Sequence, residues 1–305
     1  MNHRDINWAQ AFRELKDRPD KAKAGSEEAR ALWNEKAPSF ARKPSRSDYI
    51  NQLIGLLELE RSDSVLDVGC GSGTLAIPLA ALGHAVVALD FSPVMLSELE
   101  QSASEENIVA KRIHPGDAAD GPVCLPAGGS IATLERSWQQ SWADIPIADI
   151  AVSSRSLITE DLADSVRKLE EHARKRAFIT VGAGSLPYRD HAILSAMGRS
   201  DEVAMDPTEL ICLVNYLFSL GRLPRISYIS FTRFWGRDTR EMLVDAVKSS
   251  HAPRAPHEEK ALERYLAEHV IRNEESGQYE LDRPRVDRWA CVSWDVPNRR
   301  ATRIC

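Results

Sequence analysis

The sequence predicts an α/β fold: a doubly wound, mostly parallel sheet with helices on both faces. Three observations carry that expectation. From Ser64 onward, short apolar runs recur between glycine, proline or acidic residues, at a length that suits fully buried parallel strands. Segments with helical spacing of apolar residues separate those runs, so strand and helix alternate. The first run also ends in a glycine-rich turn, where a sheet of this kind places a ligand-binding loop.

Residues 1–46 are mixed in charge and rich in alanine, with Trp8, Phe12, Trp33 and Phe40 spaced along them. Helices with breaks at Pro19, Pro38 and Pro44 are expected there. Ser47 reads as an N-cap for a helix whose apolar face is Ile50, Leu53, Ile54 and Leu57. Val65, Leu66 and Val68 form the first strand, and a helix over 74–82 is closed by Gly83. Residues 85–89 read as the second strand, and Ser92-Pro93 supplies a cap and a first-turn proline for the next helix. Residues 108–113 make a third strand. The stretch 115–146 is rich in Pro, Gly and Ser and reads as an insertion partly over the site, outside the core. A fourth strand over 148–152, a helix through Leu162, Val166 and Leu169, and a fifth strand over 177–181 complete the alternation. Arg174–Arg176 reads as a solvated helix end.

In the last third, Asp206-Pro207 opens an almost wholly apolar helix that Gly221 ends; it fits either a core or a homodimer interface. Residues 226–231 and 288–296 are strands, with helices over 238–249 and 256–272 between them. The expected organisation is a helical segment, 1–60, covering the site, followed by one domain, 61–305, with insertions at about 115–146 and 236–287.

Composition bounds the function. In 305 residues, 39 basic and 45 acidic side chains leave a net charge of -6, so the average field repels phosphates and disfavours a nucleic-acid clamp. The longest mostly apolar stretch, Leu210–Leu220, is too short for a membrane span, and the polar N-terminus lacks a signal-peptide core. Five scattered cysteines without a Cys-x-x-Cys pair argue for reduced thiols. A soluble cytoplasmic protein is expected. The histidines show no metal-ligand spacing, so no metal is expected.

The chemistry concentrates in VLDVGCGSGTLAIPLA, with Gly69, Gly71 and Gly73 at the strand-to-helix turn. Glycine tolerates the positive backbone angles of such a turn and lets a ligand approach the main chain. No lysine follows, which excludes a nucleotide P-loop, and the glycine spacing differs from the dinucleotide fingerprint. Asp67 interrupts an apolar strand, where a carboxylate is costly unless it faces a cation or a polar partner at the strand's end. Asp90 ends the second strand and suits the hydroxyls of a ribose. Asp117 suits an adenine amino group, and Phe91 or Met95 a sandwich around the ring.

The run DVGCGSG, Asp67 to Gly73, followed by VVALDFSPVML, resembles the first two motifs of class I S-adenosylmethionine-dependent methyltransferases. The resemblance implies a Rossmann-like, seven-stranded sheet with an antiparallel edge strand. It implies S-adenosyl-L-methionine as cofactor, held through Asp67, Gly69, Cys70, Gly71, Gly73 and Asp90, with Phe91, Met95, Asp117 and Ser153 nearby. Trp33 and Phe40 fit either a clamp over the cofactor or simple docking, and Tyr49 is similar. The Asn/Asp-Pro-Pro-Tyr signature for exocyclic amino groups is absent after the fourth strand, where Ser153, Ser154 and Arg155 stand.

The expected reaction is in-line methyl transfer to a small-molecule acceptor. An RNA or protein acceptor is the alternative, and a non-catalytic cofactor-binding sensor a further one. Tyr188, Arg189, His191 and Arg155 are the candidates for contact with the acceptor, and His114 is a further one. No general base is singled out.

Overall fold

The computed structural model describes residues 6–17, 25–41, 48–114, 124–183, 190–202, 207–234 and 236–297. The N-terminal helices are α1 (Trp8–Lys16), α2 (Glu27–Ala41) and α3 (Asp48–Leu57). Asn7 caps α1 by accepting from the Gln10 amide, and Phe12 is its buried anchor. Pro38 lies inside α2, where a break was expected. Pro19, Pro44 and Ser47 fall outside the described residues.

The alternating region follows as β1 (Val65–Val68), α4 (Ala76–Ala81), β2 (Val86–Asp90), α5 (Pro93–Glu105), β3 (Val109–Ile113), β4 (Ser130–Glu135), β5 (Ala148–Ser154), α6 (Leu162–Glu171) and β6 (Ala173–Gly182). Then come α7 (His191–Ala196), α8 (Thr208–Ser219), β7 (Arg225–Arg233), α9 (Arg240–His251), α10 (Pro256–His269), β8 (Val270–Arg272), β9 (Tyr279–Leu281) and β10 (Arg285–Asp295). Eight strands form one sheet in the order β3-β4-β2-β1-β5-β6-β10-β7, and β8 pairs with β9 as an antiparallel ribbon. The pairings β3–β4, β4–β2, β2–β1, β1–β5 and β5–β6 are all parallel. The doubly wound α/β expectation holds, with eight strands in the main sheet instead of seven.

The additional strand is β4. Residues 130–135 were expected to belong to a surface insertion, yet Ile131, Ala132, Thr133 and Leu134 are buried between β2 and β3. The surrounding Pro, Gly and Ser residues set the composition of the window and hid four consecutive core positions. The basic cluster is also corrected. Arg174, Lys175 and Arg176 lie in β6, and α6 ends before them, at Glu171. There they form ion pairs: Lys175 with Glu60 and Asp63, Arg176 with Glu58, and Arg174 with Asp149.

By internal packing the chain divides into two compact units, Met1–Val181 with Thr208–Ser227 and Cys291–Cys305, and Gly182–Pro207 with Tyr228–Ala290. In the first, β1 and β2 are buried along their whole length. Full burial contributes about 1.5–3 kcal/mol per large aliphatic side chain, so central strands can hold a costly residue at their ends. Helix α8 packs against α1, with Lys16 bonded to Glu209 at 2.6 Å, while Ile211 and Phe218 stay exposed. The second unit has its own core, built from Ile193, Leu194, Leu243, Val247, Leu262 and Leu266. Among the described residues, no helix is long and apolar enough to cross a membrane.

Candidate active site

The site begins where β1 stops. Asp67 occupies a fully buried position in VLDV, paired with Ala88 on one side and Val152 on the other. Its Oδ2 is buried without a hydrogen-bond partner. Burial, and secondarily the neighbouring Asp90 charge, pushes the Asp67 carboxyl up to about 7 from 3.8. Asp90, at the tip of β2, is pushed to about 6 by burial, against the opposing pull of backbone N–H groups. Its Oδ2 accepts from the Gly71 amide at 2.9 Å and its Oδ1 from the Ser92 amide at 2.9 Å. Two carboxyls that cannot both ionise cheaply therefore lie at adjoining strand ends. A cation placed against them would relieve the cost.

The glycine loop supplies the space. Gly69, Gly71 and Gly73 have φ of 71°, 54° and 87°, in the left-handed region. At Gly69 a Cβ would come within 2.4 Å of the Ser156 Cβ, and at Gly73 within 2.7 Å of the Leu99 Cγ. Gly71 differs: its nearest heavy atom is the Met95 sulfur, at 4.0 Å. Two glycines thus close the turn and the middle one keeps an open cradle. The amides of Gly69 and Cys70 both donate to the Leu89 carbonyl, and that of Gly73 to Cys70. With the Gly71 amide on Asp90, the loop's contribution at these four positions is close approach, not N–H donation to a ligand.

Neighbouring loops brace this one. Ser156 donates to the Val68 carbonyl at 2.5 Å and meets the Ser153 hydroxyl at 2.9 Å. The Trp138 indole donates to the Ser156 carbonyl at 2.9 Å, and the Lys168 ammonium holds the Trp138 and Gln140 carbonyls. Beyond β5, the Arg155 guanidinium lies 4.0 Å from the centre of the Tyr49 ring. The Tyr49 hydroxyl bonds with Ser154 and Thr180 at 2.9 and 2.8 Å, and burial raises its pKa. Helix α2 is fixed along the same rim. Arg30 pairs with Glu135, at the tip of β4, at 2.5 Å, and the Ser92 hydroxyl donates to Asn34 at 2.6 Å.

Asp67, Gly69, Cys70, Gly71, Gly73, Asp90, Phe91 and Met95 are brought together at the carboxyl ends of β1 and β2. The buried Cys70 thiol is raised well above its usual range, chiefly by burial, so it stays a neutral thiol. Ser153 is buried, its hydroxyl on Ser156. Trp33 is half-buried, with the Lys36 ammonium 5.3 Å from its ring centre. His114 is exposed after β3, and His191 is exposed at the start of α7, in the second unit. Asp117, Tyr188 and Arg189 lie outside the described residues, and so does the Phe40 side chain. Sequence reasoning missed Glu135, Arg30, Asn34, Trp138 and Lys168. For Glu135 a signal was present: IATLE repeats the apolar run ending in an acid that marked Asp90.

Residues 65–131 match the methyltransferase domain family, a span that contains the glycine loop and both aspartates. Across that span the chain is similar to the class I S-adenosylmethionine-dependent methyltransferases. An uncharacterized protein of Haemophilus influenzae is 29% identical over 270 residues, covering 87% of this chain and 88% of its own length. The 23S rRNA (uracil(1939)-C(5))-methyltransferase of Aeromonas hydrophila is 29% identical over 108 residues, 35% of this chain and 22% of that enzyme. Among solved structures, geranyl diphosphate C-methyltransferase of Streptomyces coelicolor, in complex with S-adenosyl-L-homocysteine, is 11% identical with a TM-score of 0.41. That alignment covers 96% of this methyltransferase and 99% of the other chain. The cofactor is S-adenosyl-L-methionine; a cationic ligand would answer the orphaned Asp67 oxygen, and Gly71 leaves room for one to approach.

Proposed function

We propose that this methyltransferase acts on a small-molecule acceptor in the cytoplasm. The observation that supports the reading is the seating of α2 on Glu135 and Ser92, through Arg30–Glu135 and Asn34–Ser92. A helix held there would narrow the approach to the reacting centre, which suits a metabolite better than a folded polymer. The net charge of -6 points the same way, since it repels a phosphate backbone. The match to the rRNA enzyme spans about a third of this chain, so it supports a shared cofactor, not a shared acceptor.

When bound, S-adenosylmethionine supplies an electrophilic methyl group. Asp67 would hold the ammonium of its methionine part, Asp90 the ribose hydroxyls, and Phe91 and Met95 the adenine faces. Glu135 lies beside Asp90 in the parallel register and would face the same ligand. The chain's own contribution is orientation and exclusion of water: the closed glycine turn and the seated α2 keep the crevice fixed around its ligands. A thiol, amine or other soft acceptor needs no strong base from the protein.

The test incubates the protein with methyl-labelled cofactor and, separately, a metabolite extract, total RNA and ribosomal protein. Label in the small-molecule fraction supports the reading. Label confined to RNA, with transfer falling steeply as salt rises, overturns it.

A further inference from the structure

The register between β1 and β5 ends with Asp67 beside Val152, while that between β1 and β2 runs on to Val68 and Leu89. Beyond Asp67, then, β1 and β5 part, and a side chain spans the opening. The Ser156 hydroxyl, from the loop after β5, donates to the Val68 carbonyl at 2.5 Å. The same residue lies against Gly69, where an added Cβ would fall 2.4 Å from the serine Cβ. Ser156 thus grips the end of β1 directly after the orphaned Asp67 oxygen and directly before the open cradle at Gly71.

Ser156 is itself held from outside the crevice. Its carbonyl accepts from the indole of buried Trp138 at 2.9 Å, and that ring stacks on Trp142 with centres 5.2 Å apart. The Trp138 carbonyl accepts from the Lys168 ammonium, contributed by α6. The Lys168 side chain is 7% exposed, a costly place for a charge. It is supported there by three acceptors for its three N–H bonds: the Trp138 and Gln140 carbonyls and the Asp164 carboxylate. The series Lys168–Trp138–Ser156–Val68 therefore joins a flanking helix, through the loops after β4 and β5, to the strand that ends in the glycine loop.

We propose that Ser156 is a positioning residue for S-adenosylmethionine binding, and that Trp138 and Lys168 set it in place. It keeps the end of β1 and the turn at Gly69 in the arrangement that the cofactor needs, so little ordering remains when the ligand arrives. A loop without this brace divides its time among several arrangements, and apparent affinity falls by the fraction that stays competent. The inference concerns the cofactor and holds whichever acceptor takes the methyl group.

Kinetics separate positioning from contact. A smaller competent fraction slows association and leaves dissociation unchanged, whereas a lost ligand contact speeds dissociation. Association and dissociation of S-adenosylhomocysteine are measured on the immobilised full chain, well below its melting temperature. The proteins are the wild type, Ser156→Ala, Lys168→Met, their double variant and Asp149→Ala. Ser156→Ala keeps the Cβ against Gly69 and removes only the hydroxyl. It should bind roughly fivefold to tenfold more weakly, the range for one hydrogen bond, with the loss in the association rate. Lys168→Met should lose about threefold or more in the same way, although it lies at the far end of the series. The double variant should lose no more than the larger single loss, because both changes break one connection.

Asp149→Ala is the control for stability alone. Asp149 accepts from the Ser64 amide and hydroxyl at 2.9 and 2.7 Å, joining the same two strands at their amino ends, away from the crevice. That variant should melt lower than the wild type and bind S-adenosylhomocysteine equally well. Ser156→Ala binding within about twofold of the wild type, or a loss that appears in dissociation, overturns the proposal. So do multiplied losses in the double variant, or equal weakening in Asp149→Ala.

Discussion

Replacing Asp67 with Asn should make the cofactor-free protein more stable at alkaline pH while weakening its hold on the cofactor. The carboxyl is fully buried, with an orphaned oxygen, and titrates at about 7 against an ordinary 3.8. Between those pH values the folded protein keeps a proton that the unfolded chain releases, so stability falls as pH rises. At about 1.4 kcal/mol per pH unit, the gap corresponds to a loss of about 4 kcal/mol between pH 4 and pH 8. An amide of the same shape does not titrate, so Asp67→Asn escapes that loss and retains only the smaller contribution of Asp90. Cofactor binding reverses the ranking. A cation pairs with the charged carboxylate, and losing that contact costs about 1.5–3 kcal/mol, roughly tenfold to a hundredfold in affinity. The assay is thermal melting of both proteins from pH 5 to 9, with calorimetry of S-adenosylmethionine binding in buffers of different ionisation enthalpy. The wild type should release a proton on binding near pH 6.5, and the variant only the smaller fraction that Asp90 holds there. An Asp67→Asn protein that melts below the wild type at pH 8, or binds with undiminished affinity, would refute the assignment.

Asp90→Asn should weaken S-adenosylmethionine binding by roughly tenfold or more, because one oxygen that accepts from Gly71 or Ser92 becomes an NH2 donor; calorimetry reads the change. The glycines should separate by what surrounds them. Gly73→Ala drives a Cβ into Leu99 and Ile77 on top of its backbone strain, a destabilisation of about 2–4 kcal/mol seen in denaturant melts. Gly71→Ala meets open space, so it should cost only the backbone strain of about 1–2 kcal/mol and express itself mainly in cofactor affinity. Lys168→Met leaves the Trp138 and Gln140 carbonyls without their ammonium, which should cost about 1–3 kcal/mol of stability and lower the melting temperature.

Much of this was legible in the sequence, for reasons particular residues make plain. VLDVG and AVVALD are short apolar runs closed by a glycine and by an acid, and both became buried strands with their polar residue at the carboxyl end. Ser92-Pro93 started α5 as its chemistry requires, the Ser92 hydroxyl accepting from the Met95 amide at 3.1 Å. The failures share a cause. β4 is six residues in a turn-rich stretch, and its burial comes from β2 and β3, distant partners that a local window does not contain. Arg174 and Lys175 are exposed as expected, but the cluster lies in β6 and not at a helix end, and the carboxylates that pair with it, Glu58, Glu60, Asp63 and Asp149, come from other elements. Arg155 was legible as a candidate from its place after a strand at the ligand-binding edge of the sheet, whereas its left-handed φ leaves no trace in composition.

The residues that violate local physics are the ones that locate the site. An isolated aspartate in an apolar strand lowers the stability of the fold, and Asp67 retains that cost in the form of an oxygen with no protein partner. Arg136 Nε, just beyond the tip of β4, is likewise buried without a partner. A strained arginine then stands at the end of β5. Three departures gather at the carboxyl ends of three strands of one sheet, β1, β4 and β5. The Asp67 oxygen is the departure that a cationic ligand would answer, since a charge brought against it offsets the burial that raises its carboxyl.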